Sequence, residues 1–357
     1  MRIEKLVALW LAMMSVLVAL VVPFALPAQG AGGFPLAPSD GRIQAALDFL
    51  RNSETAHPQI WTNPEKICYA IVAVEACGAD AHSFKNARGQ SLVDIIREHA
   101  ATSLPPQRSA SLVHEAYLFA IVAAGEDPHN FGGVNVIQQL EEMFDGTQIG
   151  MPGIINDDFW GVITLVGAGE DPNSSLIQTV KGHILANQSP DGGWGSVAGG
   201  SGSDPCDTAN AITALRAAGE SPASAAIQRA LGYLKASQSA DGGFPYMIGY
   251  PSDTGSDARV IAALTACGID PTSAEWSVNG QNAVTHALSL QQPDGGFAWH
   301  SGGATDAWMT TYILPALVGK HWPPDLFVGK TPPPTPPSSP APTRTHDPPP
   351  PPGATPP

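Results

Sequence analysis

Gln188-Ser-Pro-Asp-Gly-Gly-Trp194 lies between a helical run that ends at Gln188 and a second one that closes on Gly219, and the chain writes it twice more. The other copies are Gln238-Ser-Ala-Asp-Gly-Gly-Phe244 and Gln291-Gln-Pro-Asp-Gly-Gly-Phe297. They fall about fifty residues apart, the mark of a repeat architecture. The second half of the phrase extends further back than the first. Small-residue helical runs end on Gly78, Gly125, Gly169, Gly219, Gly268 and Gly319, each suited to the left-handed position just past a helix end. Asp127-Pro128, Asp171-Pro172, Ser221-Pro222 and Asp270-Pro271 follow four of them, pairing a cap residue with Pro in the next first turn.

Six such units predict twelve helices. The runs before each closing Gly are nearly free of charge, as in Ala209-Asn-Ala-Ile-Thr-Ala-Leu215 and Ala258-Arg-Val-Ile-Ala-Ala-Leu264, whereas the preceding ones carry Lys181 or Arg229 beside Ile and Leu. Apolar helices belong inside and amphipathic ones face water, so two concentric layers satisfy both patterns. Spacing alone leaves an open solenoid and a closed ring equally possible.

Lys181-Gly-His-Ile-Leu-Ala-Asn-Gln188 with Asp191-Gly-Gly-Trp194 resembles the Gln-Trp repeat of squalene and terpene cyclases, which protein prenyltransferase β subunits and cobalamin carriers share in looser form. The likeness is strongest over 176–320 and weak before Ile155. It implies an all-α fold over 42–322, an (α/α)6 toroid of six two-helix repeats, with inner and outer layers around a central cavity. It speaks for the scaffold, not for an activity, since function belongs to the site.

Arg2 and Lys5, the apolar run 6–22 and Ala28-Gln-Gly30 read as a signal peptide over 1–30, which predicts a secreted or extracytoplasmic protein with cell-surface association open to it. Residues 331–357 are almost wholly Pro, Thr, Ser and Ala and are expected to form a disordered tail without a core. A net charge of −15 and a pI near 4.9 argue against nucleic acid and anionic membranes as partners. No run after the signal is long and apolar enough to span a bilayer. A monomer with a single core is expected. Cys68 and Cys77 are separated by about 13 Å of helix rise, so the four cysteines are read as buried thiols.

With inner helices parallel, their N-termini gather at one mouth. Aligning units on the closing Gly brings Asp157, Asp207, Asp257 and Asp306 there, with His114 and Glu115 from unit two. Acids so placed can protonate a substrate or simply cap helices. Asp157, Asp158 and Asp207 are the catalytic candidates. Asp158, Phe159 and Trp160 beside Asp157 favour its protonated form by like charge and burial. His114, Glu115, Tyr117, Trp160, Asp257, Asp306 and Trp308 are the ligand-binding candidates.

The resemblance supplies tests. Protonating cyclases carry an Asp-x-Asp-Asp run, and Ile155-Asn-Asp-Asp158 lacks its first Asp. Prenyltransferases hold zinc with an Asp and a Cys two residues apart and a later His. Here Cys206 and Asp207 are adjacent and reversed, and Asp306-Ala-Trp-Met-Thr310 has no His, so no metal or other cofactor is expected. The leading expectation is a binding module for an apolar ligand, isoprenoid-like or corrinoid, or for a cell-surface protein partner. The alternatives are a cyclase- or transferase-like enzyme on a polyprenyl substrate, and an α/α-barrel glycan-active enzyme lined by Tyr69, Tyr117, Trp160, Trp308 and Tyr312, with His114 and Glu115 as acid or base.

Overall fold

The computed structural model describes residues 33–321 except Ser201; the expected signal peptide and Pro-rich tail lie outside them. Thirteen α-helices occur among the described residues, and twelve form the two layers. The inner helices are α3 (Pro64–Ala76), α5 (Ser111–Ala123), α7 (Ile155–Gly167), α9 (Pro205–Ala217), α11 (Thr254–Ala266) and α13 (Ala307–Leu317). The outer ones are α1 (Gly41–Arg51), α4 (Leu92–Ser103), α6 (Val136–Glu141), α8 (Ser175–Ala186), α10 (Ala225–Ser237) and α12 (Ala283–Ser289). A single turn, α2 (Gln59–Thr62), precedes α3, and the hairpin of β1 (Phe297–Ala298) and β2 (Thr305–Asp306) leads into α13.

Each inner helix packs on the next, and α13 packs on α3, so the ring is closed. The molecule is an (α/α)6 toroid. The N-terminal helix α1 packs on α13, supplying the outer layer that the last inner helix would otherwise lack. Leu36 N–H donates to Leu317 O at 2.9 Å and Gln291 Nε2 to Arg42 O at 2.8 Å across this seam.

All six closing glycines have positive φ, from 70° to 103°. Past each, the next N–H reaches back to the last turn, as in Glu170 to Leu165 O at 3.0 Å and Ile269 to Leu264 O at 2.9 Å, which satisfies carbonyls the helix leaves open.

The Asp-Gly-Gly turns clasp neighbouring units. Gln188, Gln238 and Gln291 each donate to the carbonyl of their own turn and to the next outer segment, at Ala226 O, Trp276 O and Arg42 O. Asp191, Asp241 and Asp294 each accept from the second glycine N–H and from a hydroxyl, Ser203, Ser252 or Thr305. Unit three keeps this device without the sequence: Asp145 accepts from Thr147 N and Gln148 N. Cys68, Cys77, Cys206 and Cys267 are free thiols, and no helix of the described residues is long and apolar enough to cross a membrane.

Candidate active site

Outer helices return the chain between successive inner ones, so the six inner helices run parallel and open at one mouth. Asn63, Asp204, Asp253 and Asp306 cap four of them; α5 and α7 have no side-chain cap.

Four inner helices meet around Arg259, in the second turn of α11. Its Nη1 donates to Gly255 O at 3.0 Å, and its guanidinium lies 4.6 Å over the Tyr312 ring of α13. Tyr312 stacks on Tyr69 of α3 with centroids 4.8 Å apart. Tyr312, Cys206, Tyr69 and Asp207 all act on the guanidinium electrostatically. Arg259 Nε is buried without a hydrogen-bond partner.

Asp207 of α9 acts on Arg259, and Asp204, the cap of α9, stands next to Asp207. Asp204 accepts from Asp207 N–H at 2.8 Å, and Asp207, 7% exposed, accepts from Asn156 Nδ2 of α7 at 2.6 Å. Burial, then the neighbouring Asp207 charge, pushes Asp204 up to about 7. Burial raises Asp207 as well. Two carboxyls this close titrate as one unit, and it holds a proton near neutrality. Between them Cys206 is buried, 3.2 Å from Ser256 Oγ. Burial pushes its thiol up to about 12, so it is no thiolate nucleophile. Tyr246, half exposed on the loop after α10, is raised by its partial burial and then by the charges of Asp204 and Asp207.

The sequence candidates divide by place. Asp207 is in this cluster, and Trp308 stands beside it, 5.8 Å from Tyr312. Asp306 caps α13 through Trp308 N and Met309 N. Asp157 is buried and accepts from Met151 N–H at 2.8 Å. Asp158 is fully buried, accepts from Ile149 N–H at 2.8 Å, and is pushed up to about 8 by burial. Asp257, also fully buried, accepts from Phe244 N–H and lies 2.6 Å from His286 Nδ1. His114 is held between Ala110 O and Gln139 Oε1. Tyr117 and Trp160 are core residues, Trp160 edge-on to Phe119. Glu115 is buried with neither oxygen hydrogen-bonded, and burial, then Asp157 and Asp158, hold its carboxyl well above the usual range.

Sequence reasoning missed Asp204, Arg259 and Tyr246. Arg259 left a signal, being the one charge within an otherwise apolar stretch of inner helix; Tyr246 left none. Among the described residues no three His, Cys, Asp or Glu side chains gather as a metal site requires.

No protein-family model matches the chain, and no curated protein matches it in sequence. Solved structures do. An unsaturated glucuronyl hydrolase from Bacillus sp. GL1, responsible for degrading glycosaminoglycan, superposes with TM-score 0.55 at 14% identity, over 78% of this chain and 95% of that one. Candida albicans protein geranylgeranyltransferase-I gives 0.54 at 13%, over 77% and 90%. The ent-copalyl diphosphate synthase of Streptomyces platensis gives 0.47 at 18%, over 72% and 50%. The chain shares the α/α toroid of the first two. At such identities the likeness concerns the fold.

Proposed function

We propose that the chain is a glycan-active enzyme of the cell exterior, with the Asp204–Asp207 pair as its acid and base and Arg259 as the clamp for an acidic or hydroxyl-rich group of the substrate. The observation that carries this reading is two adjacent carboxyls, joined through Asp207 N–H and Asn156, on the helix next to a guanidinium held over stacked tyrosines. In hydrolysis the pair gives its proton to the departing glycosidic oxygen, and the water that adds to the anomeric carbon returns one to the pair. The expected signal peptide agrees with an extracellular polymer as substrate.

The same geometry weighs against the polyprenyl alternative. A carbocation needs uncommitted aromatic faces, and here a guanidinium already occupies the Tyr312 face. It also weighs against an isoprenoid ligand, because an apolar molecule entering this mouth would desolvate Arg259 and the acids without pairing them. Incubating the chain with neutral and uronate-containing oligosaccharides and reading products by mass spectrometry tests the proposal. Cleavage is expected, with Asp207→Asn slowing turnover about a hundredfold or more. A folded chain that cleaves none of them, or an unimpaired Asp207→Asn variant, would overturn it.

A further inference from the structure

A cleft of about 190 Å³ opens beside the mouth, at the seam between the first and last units. Its wall is built from the segment around α2 and the starts of α3 and α13, with His57, Gln59, Lys66, Asp306 and Trp308 among its lining. It is separate from the Asp204–Asp207 pair but joined to it by contact, since Trp308 touches Tyr312 and Tyr312 carries Arg259.

Two groups in this wall lack the partners their chemistry calls for. Lys66 Nζ donates to the neutral Gln59 Oε1 at 2.5 Å and lies 4.8 Å over the Trp308 ring; among the described residues it makes no ion pair. Trp308 Nε1, a donor only, is buried with no acceptor. Asp306 lines the cleft as well, its Oδ1 accepting from Trp308 N–H and Met309 N–H at the start of α13, where the positive helix end offsets its charge. A cation held by an amide and a ring, beside an orphan N–H, is a receptor for an anionic oxygen.

We propose that this cleft is a second saccharide subsite, taking an acidic sugar unit whose carboxylate is received by Lys66 Nζ and Trp308 Nε1. The inference rests on the glycan reading for the nature of the ligand, and not for the existence of the site. The row Arg259, Tyr312, Trp308, Lys66 then sets a cation at each end of two rings from the axis to the seam, matched to an oligosaccharide that carries acidic groups.

The test is binding of methyl glucuronide and methyl glucoside to the full chain, followed by saturation-transfer NMR and chemical-shift changes, with Lys66→Gln, Trp308→Phe and Arg259→Gln compared and thermal melts confirming folding. The glucuronide should bind in preference to the glucoside. Lys66→Gln should weaken it about tenfold, the loss of one charge-assisted hydrogen bond, and Trp308→Phe should weaken it less. Arg259→Gln should leave this site occupied. Equal binding of both sugars, or glucuronide binding unchanged in Lys66→Gln, overturns the proposal. A chain that cleaves glycans while Lys66→Gln binds normally removes the subsite alone. Glucuronide held through Lys66 by a chain that cleaves nothing supports the subsite and removes the enzymatic reading.

Discussion

A carboxyl pair is useful as an acid only over the pH range in which it keeps its proton, and its surroundings set that range. Burial raises both Asp204 and Asp207, and the Asp207 charge raises Asp204 further; the hydrogen bond from Asp204, Asn156 Nδ2 and the nearby Arg259 lower Asp207. Activity that depends on the shared proton should decline as pH rises through about 7, where Asp204 loses it. The sign of each substitution follows. Asp204→Asn removes the carboxyl that ionises near 7 and leaves Asp207, whose charge Asn156 and Arg259 favour, so the alkaline limb of kcat/KM moves to lower pH. Arg259→Met removes the stabilising cation, so the limb moves up, and KM for an acidic substrate rises. A pH profile of each variant checks both. Shifts of opposite sign identify the pair, and an unmoved limb in Asp204→Asn would assign the ionisation to another group.

Within the repeat, one position shows how a turn and its two helices are fitted together. The backbone N–H after the turn, at Ile149, Trp194, Phe244 and Phe297, is received by Asp158, Thr208, Asp257 and Thr310 respectively, each in the first turns of the inner helix. Where that acceptor is Asp, the outer helix faces it with His: His286 lies 2.6 Å from Asp257, and His183 lies 3.8 Å from Asp158. Where it is Thr, the outer helix brings Tyr233 or Phe49 to the turn instead. Acceptor and ring have therefore been exchanged together, which gives Asp257 a structural reason to exist. His286→Ala should cost about 3 to 5 kcal/mol, since it leaves a buried carboxyl without its partner. The double variant Asp257→Thr with His286→Tyr should recover much of that; denaturant unfolding of both singles and the double measures the coupling. Trp194 completes the same turn, fully buried with Nε1 bonded to Ile184 O at 2.8 Å. Trp194→Ala should cost on the order of 3 to 5 kcal/mol, read by the same method. The turns, the closing glycines and the layering were legible because each depends on local chemistry: a positive φ, a cap, a charge-free stripe. Closure of the ring was implied by the resemblance and not by local chemistry, because α13 on α3 and α1 on α13 join residues from opposite ends of the chain. The cluster at the mouth was not legible, because Asp204 reads as a cap and Arg259 as a solitary charge until the helices are set side by side.

For the whole molecule, the buried acids reverse the usual relation between pH and stability. Asp158 is pushed up to about 8, and Asp204 and Asp257 to about 7, each chiefly by burial. Burial also raises Asp157, Asp207 and Glu115. In the unfolded chain these groups release their protons near 4. Between about pH 4 and 8 the native state therefore binds more protons than the unfolded state, and stability falls as pH rises. His286 acts in the same direction, because Asp257 raises it against the opposing effect of burial; a group so raised contributes below its unfolded value and is lost above its folded one. The depressed carboxyls oppose this only at the acid end. Asp145, held at about 2 by the Gln148 N–H and Arg108, is the strongest, and it is largely exposed, so screening limits its weight. The toroid should accordingly melt at higher temperature at pH 5 than at pH 8, with a free-energy difference of at least about 2 kcal/mol. Asp158→Asn keeps an acceptor for the Ile149 N–H while removing one titration, and should flatten the dependence above pH 7. Scanning calorimetry across pH 4 to 9 decides it: a Tm that rises with pH would mean that these carboxyls are ionised in the folded ring, and the acid–base role of the Asp204–Asp207 pair would lose its physical basis with them.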